Sequence, residues 1–135
     1  MRNTPNDMLK LAQEALQLAY CPYSNFAVAA CIRTSEGGLF TGCNVENAAY
    51  SLCCCAELNA IGNMVNAGHQ HIEQILVLIK GKEPASPCGG CRQQINEFAS
   101  DTTEVFLCCT QGEHQHYLAN QLLPHAFNPQ LLESS

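Results

Sequence analysis

The sequence predicts an α/β fold with three layers, α/β/α, around a mixed five-stranded sheet. Three observations carry that expectation. Apolar residues near the N-terminus recur at helical spacing. Two strand-like runs, FAVAACIRT and LFTGCNV, flank the turn SEGG. One continuous apolar run, ILVLI, reads as a strand covered on both faces. Taken in order, the elements alternate α-β-β-α-β-α-β-β, which sets helices against the faces of a mixed sheet.

Each element has a local cause. Met8, Leu9, Ala12, Leu16 and Ala19 form an apolar stripe, so an amphipathic helix is expected over 5–20, opened by Thr4-Pro5. The two strands around Ser35–Gly38 form a β-hairpin. A second helix is expected over 55–67, closed by Gly68. QILVLIK (74–80) is the buried strand, and a third helix follows over 89–99. TEVFLCC (103–109) is the next strand, Gln111-Gly112 a turn, and 114–118 a short last strand before the LANQLLP tail. No repeat, low-complexity run or long linker divides the 135 residues, so one domain over 1–135 is expected.

Composition narrows the function. Apolar residues make up 47% of the chain, enough for a core, and no apolar run is long enough for a transmembrane helix. The segment MRNTPNDMLKLAQEAL is polar and then amphipathic, without the apolar centre of a secretory signal, so a cytoplasmic location is expected. Twelve acidic residues oppose six scattered basic ones, a net charge of −6, with no basic stripe to follow a phosphate backbone. Neither nucleic acid nor membrane is expected as a partner. The ten cysteines come in adjacent pairs and triples, poorly placed to staple distant loops. They read as reduced thiols, some of them metal ligands and the rest small core residues.

Two of the cysteine clusters carry chemistry. In SPCGGCRQ, Cys88 and Cys91 stand three apart at a helix start, on one face. Free backbone N–H groups and the helix dipole there favour thiolate. Alone, such a pair is a redox couple, half a zinc site, or neither. SLCCCAELNAI also opens a helix and can add one more thiolate. Three thiolates leave zinc an open position, the catalytic arrangement. Side chains tilt toward a helix N-terminus, so Glu57 can reach that open face as a general acid/base. Cys55 is the expected ligand of the three, with Cys53 and Cys54 as packing.

CAE followed by PCGGC resembles the zinc-dependent cytidine deaminases. YCPYSNFAV, GCNVENAAYSLCCCAE, SPCGGCRQ and LLPHAF stand in the order, and close to the spacing, of the small homotetrameric type, from Tyr20 to Phe127. The resemblance implies a cytidine deaminase-like fold and hydrolytic deamination of cytidine and deoxycytidine to their uridine forms, with Zn²⁺ as cofactor. It implies Cys55, Cys88 and Cys91 as zinc ligands and Glu57 as the proton shuttle. Asn44 and Glu46 match the pair that binds the ribose 3′-hydroxyl, and Phe26 the aromatic lining the base pocket. Backbone groups of Ala56 and Ser86 fall where the family contacts the pyrimidine edge. Tyr50 and Phe127 match residues that reach a neighbouring subunit's site, which implies a homotetramer with shared active sites. An anionic Glu46 would repel a 3′-phosphate, which favours a free nucleoside as substrate.

Two positions depart from the pattern. Leu58 stands where the family usually has an arginine that offsets thiolate charge. Arg92, four residues after Cys88, is the remaining cation for that role in the second shell of zinc. Ala29 stands where a glycine is common. Two other function classes are open at this stage: a deaminase of another amino-heterocycle, and a non-catalytic zinc or redox module. Asn44 and Glu46 argue against a free base, and Glu57 argues against a structural zinc site. His114 and His116, two apart on a predicted strand, are read as a solvated face rather than a second metal site.

Overall fold

The computed structural model describes residues 2–133. Its strands form one five-stranded sheet in the order β2-β1-β3-β4-β5. β1 (Val28–Thr34) and β2 (Leu39–Cys43) are the expected hairpin, paired antiparallel from Ala29↔Cys43 to Arg33↔Leu39. β3 (Ile72–Ile79) takes the centre, antiparallel to β1 and parallel to β4 (Ala99–Cys109), and β5 (Gln115–Leu118) closes the far edge antiparallel. The central position explains the unbroken apolar run of β3: seven of its eight residues are buried, because helices cover both faces.

α1 (Asn6–Leu16) packs on one face. Its Met8, Ala12 and Ala15 pack with Ala29, Cys31, Leu76, Leu78, Phe106 and Cys108. The opposite face carries α2 (Ala56–Asn66), α3 (Gly89–Phe98) and the short α4 (Ala119–Leu122). Ala56, Ala60, Ile61 and Met64 of α2, Ile95 of α3 and Ala119 of α4 close over Ile32, Ile75, Val77, Val105 and Leu107. The expected three-layer α/β/α arrangement and mixed five-stranded sheet are therefore present. A last helix, α5 (Pro129–Glu133), follows.

Several boundaries move for identifiable reasons. α1 ends at Leu16 rather than near 20, because Tyr20 is drawn into a bridge with Val45, its N–H bonding Asn44 O at 3.0 Å. β4 begins at Ala99, before the apolar run, since polar Thr103 anchors the added stretch by donating to Ile72 O at 2.7 Å. α2 ends as expected at Gly68, whose φ of +91° suits glycine. The Gly68 N–H bonds Val65 O and the His69 N–H bonds Met64 O, a Schellman closure.

A polar row crosses the end of the α1 face. Arg33, Gln74 and Glu104 are direct register partners on β1, β3 and β4. Arg33 Nε donates to Gln74 Oε1 at 2.9 Å, and Gln74 Nε2 donates to Glu104 Oε1 at 3.0 Å. Asp7 of α1 caps one end through Arg33; Arg2 and His116 of β5 meet Glu104 at the other, at 2.7 and 2.9 Å.

Candidate active site

α2 and α3 start at the same place, and each begins on a cysteine. Cys55 is the N-cap of α2 and Cys88 the N-cap of α3. One turn into α3, Cys91 N–H donates to Cys88 Sγ at 3.4 Å. α2 reaches this point because β2 lets it lie close: a Cβ on Gly42 would meet the backbone nitrogen of Ala60 and, at 2.7 Å, the carbonyl oxygen of Ala56.

The three sulfurs lie within 4.8 Å of one another, the one such donor group among the described residues. The expected trio of Cys55, Cys88 and Cys91 is thus brought together. Their protonation differs by cause. The Cys91 N–H, above all, holds the Cys88 thiol below its usual range. Burial pushes the Cys55 thiol up, and burial together with the Glu57 carboxylate pushes Cys91 up. Of the three, Cys88 gives up its proton most readily; holding three sulfurs ionised at this distance requires a cation among them. A soft, all-thiolate set of three suits zinc with an open position.

Glu57 follows Ala56 in the first turn of α2 and is only 4% exposed. Burial pushes its carboxyl up from the ordinary range, while its own backbone N–H and the Cys91 thiol pull it back down. A carboxyl with no basic side chain beside it among the described residues, touching the thiol cluster, is poised to take up and release a proton.

A cavity of about 340 Å³ opens onto this cluster. Phe26, Asn44, Glu46, Cys55, Ala56, Glu57, Ser86, Cys88 and Cys91 all line it, with Val28, Val77, Ile79, Ala85 and Pro87 as apolar wall. Asn44 Oδ1 accepts the Val28 N–H at 2.9 Å, and its Nδ2 donates to Phe26 O at 2.8 Å. Glu46 holds the preceding loop, accepting the Tyr23 and Ser24 N–H groups at 3.0 and 3.2 Å and the Ser24 hydroxyl. That hydroxyl bond, more than any other contact, keeps the Glu46 carboxyl below its usual range. Asn25, at φ +58°, turns the loop between Ser24 and Phe26, a conformation asparagine tolerates.

Three expected residues stand outside the cavity. Tyr50 is 78% exposed and lines an adjoining hollow with Tyr23, Ser24, Glu46 and Cys53. Phe127 is 56% exposed, its carbonyl held by Gln93 Nε2 at 2.8 Å and Asn96 Nδ2 at 3.3 Å. Arg92 has partners other than those expected of a cation serving the thiolates. Its guanidinium donates to Pro87 O and Leu122 O, both at 2.8 Å, and to Ser86 Oγ at 2.6 Å. It braces the loop that delivers Cys88.

Other expectations need correction. Cys53 and Cys54 are not packing: both line the cavity wall, and Cys53 is exposed, trading bonds with Asn47 N and O at 3.3 and 3.5 Å. Leu58 is 37% exposed and is not part of the cavity lining. Ser24 was missed in the sequence, where only its place two residues before Phe26 could have flagged it. His114 and His116 are not a solvated face: both are half-buried, bonding Thr4 Oγ1 and Glu104 respectively, each at 2.9 Å. Cys31, Cys108 and Cys109 are buried, as expected of packing residues.

Residues 2–109 match the family profile described as the cytidine and deoxycytidylate deaminase zinc-binding region. A cytidine deaminase of Sporosarcina psychrophila is 38% identical over 117 residues, spanning 87% of this chain and 86% of its own length. One from Halalkalibacterium halodurans is 38% identical over 120 residues, spanning 89% and 91%. The crystal structure of cytidine deaminase from Burkholderia pseudomallei superposes with a TM-score of 0.86 at 42% identity, covering 93% of this chain and all of that one. Profile, relatives and fold agree with the thiol cluster, and the chain belongs to the zinc-binding cytidine and deoxycytidylate deaminase family.

Proposed function

We propose that the protein hydrolytically deaminates cytidine and deoxycytidine to uridine and deoxyuridine, releasing ammonia, as a step of pyrimidine salvage. One observation carries this reading: a buried carboxyl, Glu57, touches a three-thiol cluster at the floor of a cavity of nucleoside scale. Cys55, Cys88 and Cys91 would hold the zinc ion, which when bound supplies a Lewis acid that makes water a nucleophile near neutral pH.

The remaining roles belong to the chain. Glu57 accepts a proton from the attacking water and passes it to ring nitrogen 3, which makes carbon 4 more electrophilic. It then carries a proton to the exocyclic nitrogen, so that the leaving group is ammonia rather than amide ion. Phe26 lies against the base, and backbone groups of Ala56 and Ser86 fix the pyrimidine edge. Asn44 and Glu46 take the ribose 3′-hydroxyl. Arg92 holds Ser86, Pro87 and the Cys88 loop as one unit. The exposure of Tyr50 and Phe127 supports a homotetramer in which they complete a neighbour's site. A single domain acting on a nucleoside in the cytoplasm, independent of nucleic acid and membrane, completes the reading; no helix among the described residues is long and apolar enough to cross a membrane.

The test combines metal analysis of the purified protein with an ultraviolet assay on cytidine. One zinc per chain with turnover is expected. Stoichiometric zinc without turnover of any cytosine nucleoside would refute the reading, and an active monomer in size-exclusion chromatography would refute the roles of Tyr50 and Phe127.

A further inference from the structure

Glu46 and Asn44 use most of their hydrogen-bonding capacity within the chain. Oε1 of Glu46 accepts two backbone N–H groups, from Tyr23 and Ser24, and Oε2 accepts the Ser24 hydroxyl. A carboxylate offers about four acceptor positions, so one remains, on Oε2. Asn44 accepts the Val28 N–H and gives one Nδ2 hydrogen to Phe26 O, which leaves its second hydrogen free. Asn44 Oδ1 also keeps a lone pair; the charged acceptor on Glu46 and the donor on Asn44, both on cavity-lining residues, are the complement of a single hydroxyl group.

Ser24 ties this pair to Phe26. The hydroxyl that donates to Glu46 also accepts the Phe26 N–H at 3.0 Å, while Asn44 holds the Phe26 carbonyl at 2.8 Å. Both peptide groups of Phe26 are thus fastened by the side chains read as the sugar site, directly on one side and through Ser24 on the other.

We propose that Ser24 is a positioning residue. By occupying one acceptor position on Glu46 Oε2 and fastening the Phe26 N–H with the same hydroxyl, it aims the last Glu46 acceptor at the ribose 3′-hydroxyl and sets Phe26 at a fixed offset from it. The proposal rests on the reading of Asn44 and Glu46 as the ribose pair. Its consequence is selective. Without the hydroxyl, Glu46 keeps only its Oε1 anchors and can swing Oε2, and Phe26 loses a tether. A substrate that carries a 3′-hydroxyl suffers from this; one that lacks it has little to lose.

The experiment compares cytidine with 3′-deoxycytidine across the parent protein, Ser24→Ala, Ser24→Thr and Glu46→Ala. Ser24→Ala is expected to lower kcat/KM for cytidine about tenfold, the effect of one hydrogen bond to a charged group, mainly through KM. Its effect on 3′-deoxycytidine is expected to be much smaller, so the ratio of the two substrates collapses, and Ser24→Thr restores it. An equal loss on both substrates, the mark of mere loop packing, overturns the proposal, as does an unchanged ratio. If Glu46→Ala abolishes the preference for cytidine while Ser24→Ala keeps it, Ser24 alone is excluded. If Glu46→Ala keeps the preference, the ribose reading falls and takes the proposal with it. Should Ser24→Ala not fold, Ser24→Cys, whose thiol is a poor donor, carries the same comparison with the same outcomes.

Discussion

Glu57 has a burial that would be costly for a carboxylate without purpose, since no basic side chain among the described residues offsets it. Its amide analogue keeps the volume and the capacity to accept a hydrogen bond, but it cannot carry a proton. Glu57→Gln is therefore expected to retain zinc and fold while kcat for cytidine falls by about 10²–10⁴, measured by the absorbance change on deamination alongside metal analysis. At this scale the ligands and Glu57 were legible in the sequence, because helix starts and fixed spacings translate directly into geometry. What stayed hidden depended on where a guanidinium or a hydroxyl points after folding. Arg92 bonds Pro87, Ser86 and Leu122, and Leu122 comes from a distant helix whose position no local pattern reveals. Ser24 joins two residues that only the folded loop brings together. The exposed Cys53 sits in a short 3₁₀ turn and its exit, over 50–53, that carries no periodic signal.

The site depends on α2 and β2 lying closer than two elements with side chains between them could. Gly42 makes that possible, and a methyl group there would run into the α2 backbone, which has no rotamer by which to escape. Gly42→Ala is expected to lower stability by about 1–3 kcal/mol, read by urea unfolding, and to loosen zinc by shifting Cys55 away from Cys88 and Cys91. Elements with strong periodicity, such as α2 and β3, were legible nearly to their ends. α1 stops four residues before its expected C-terminal limit, since a tertiary bridge at Tyr20 overrides the continuing apolar stripe. β4 starts earlier than expected, since Ala99 pairs with Ile72 while the polar residues after it bulge out of register before Glu104. The small helices α4 and α5 and the Tyr50–Leu52 turn are too short for a repeat to show.

For the molecule as a whole, acid tolerance should depend on Glu104 at the far end of the sheet from β2. The Arg2 hydrogen bond, with help from Gln74 and His116, holds its carboxyl at about 2 against an ordinary value of 4.5, although burial works in the other direction. A depressed carboxylate stabilises the fold above its unfolded value and ceases to do so as pH falls through the folded one. Glu104→Gln is thus expected to cost about 1 kcal/mol at neutral pH, and the gap to the parent should close between pH 4.5 and 2. Denaturant unfolding of both proteins in the same metal state measures this, since loss of thiol ligation in acid affects them alike. The row to which Glu104 belongs also acts on folding itself. Arg33, Gln74 and Glu104 face one another only when β1, β3 and β4 are in their native register, and a slip of one residue would turn a charge from this row into the opposite, apolar layer. Apolar strands such as β3 discriminate poorly between neighbouring alignments, because one aliphatic contact resembles the next. Three polar side chains at the margin remove that degeneracy, so that a misaligned sheet is penalised when α2 and α3 close over it.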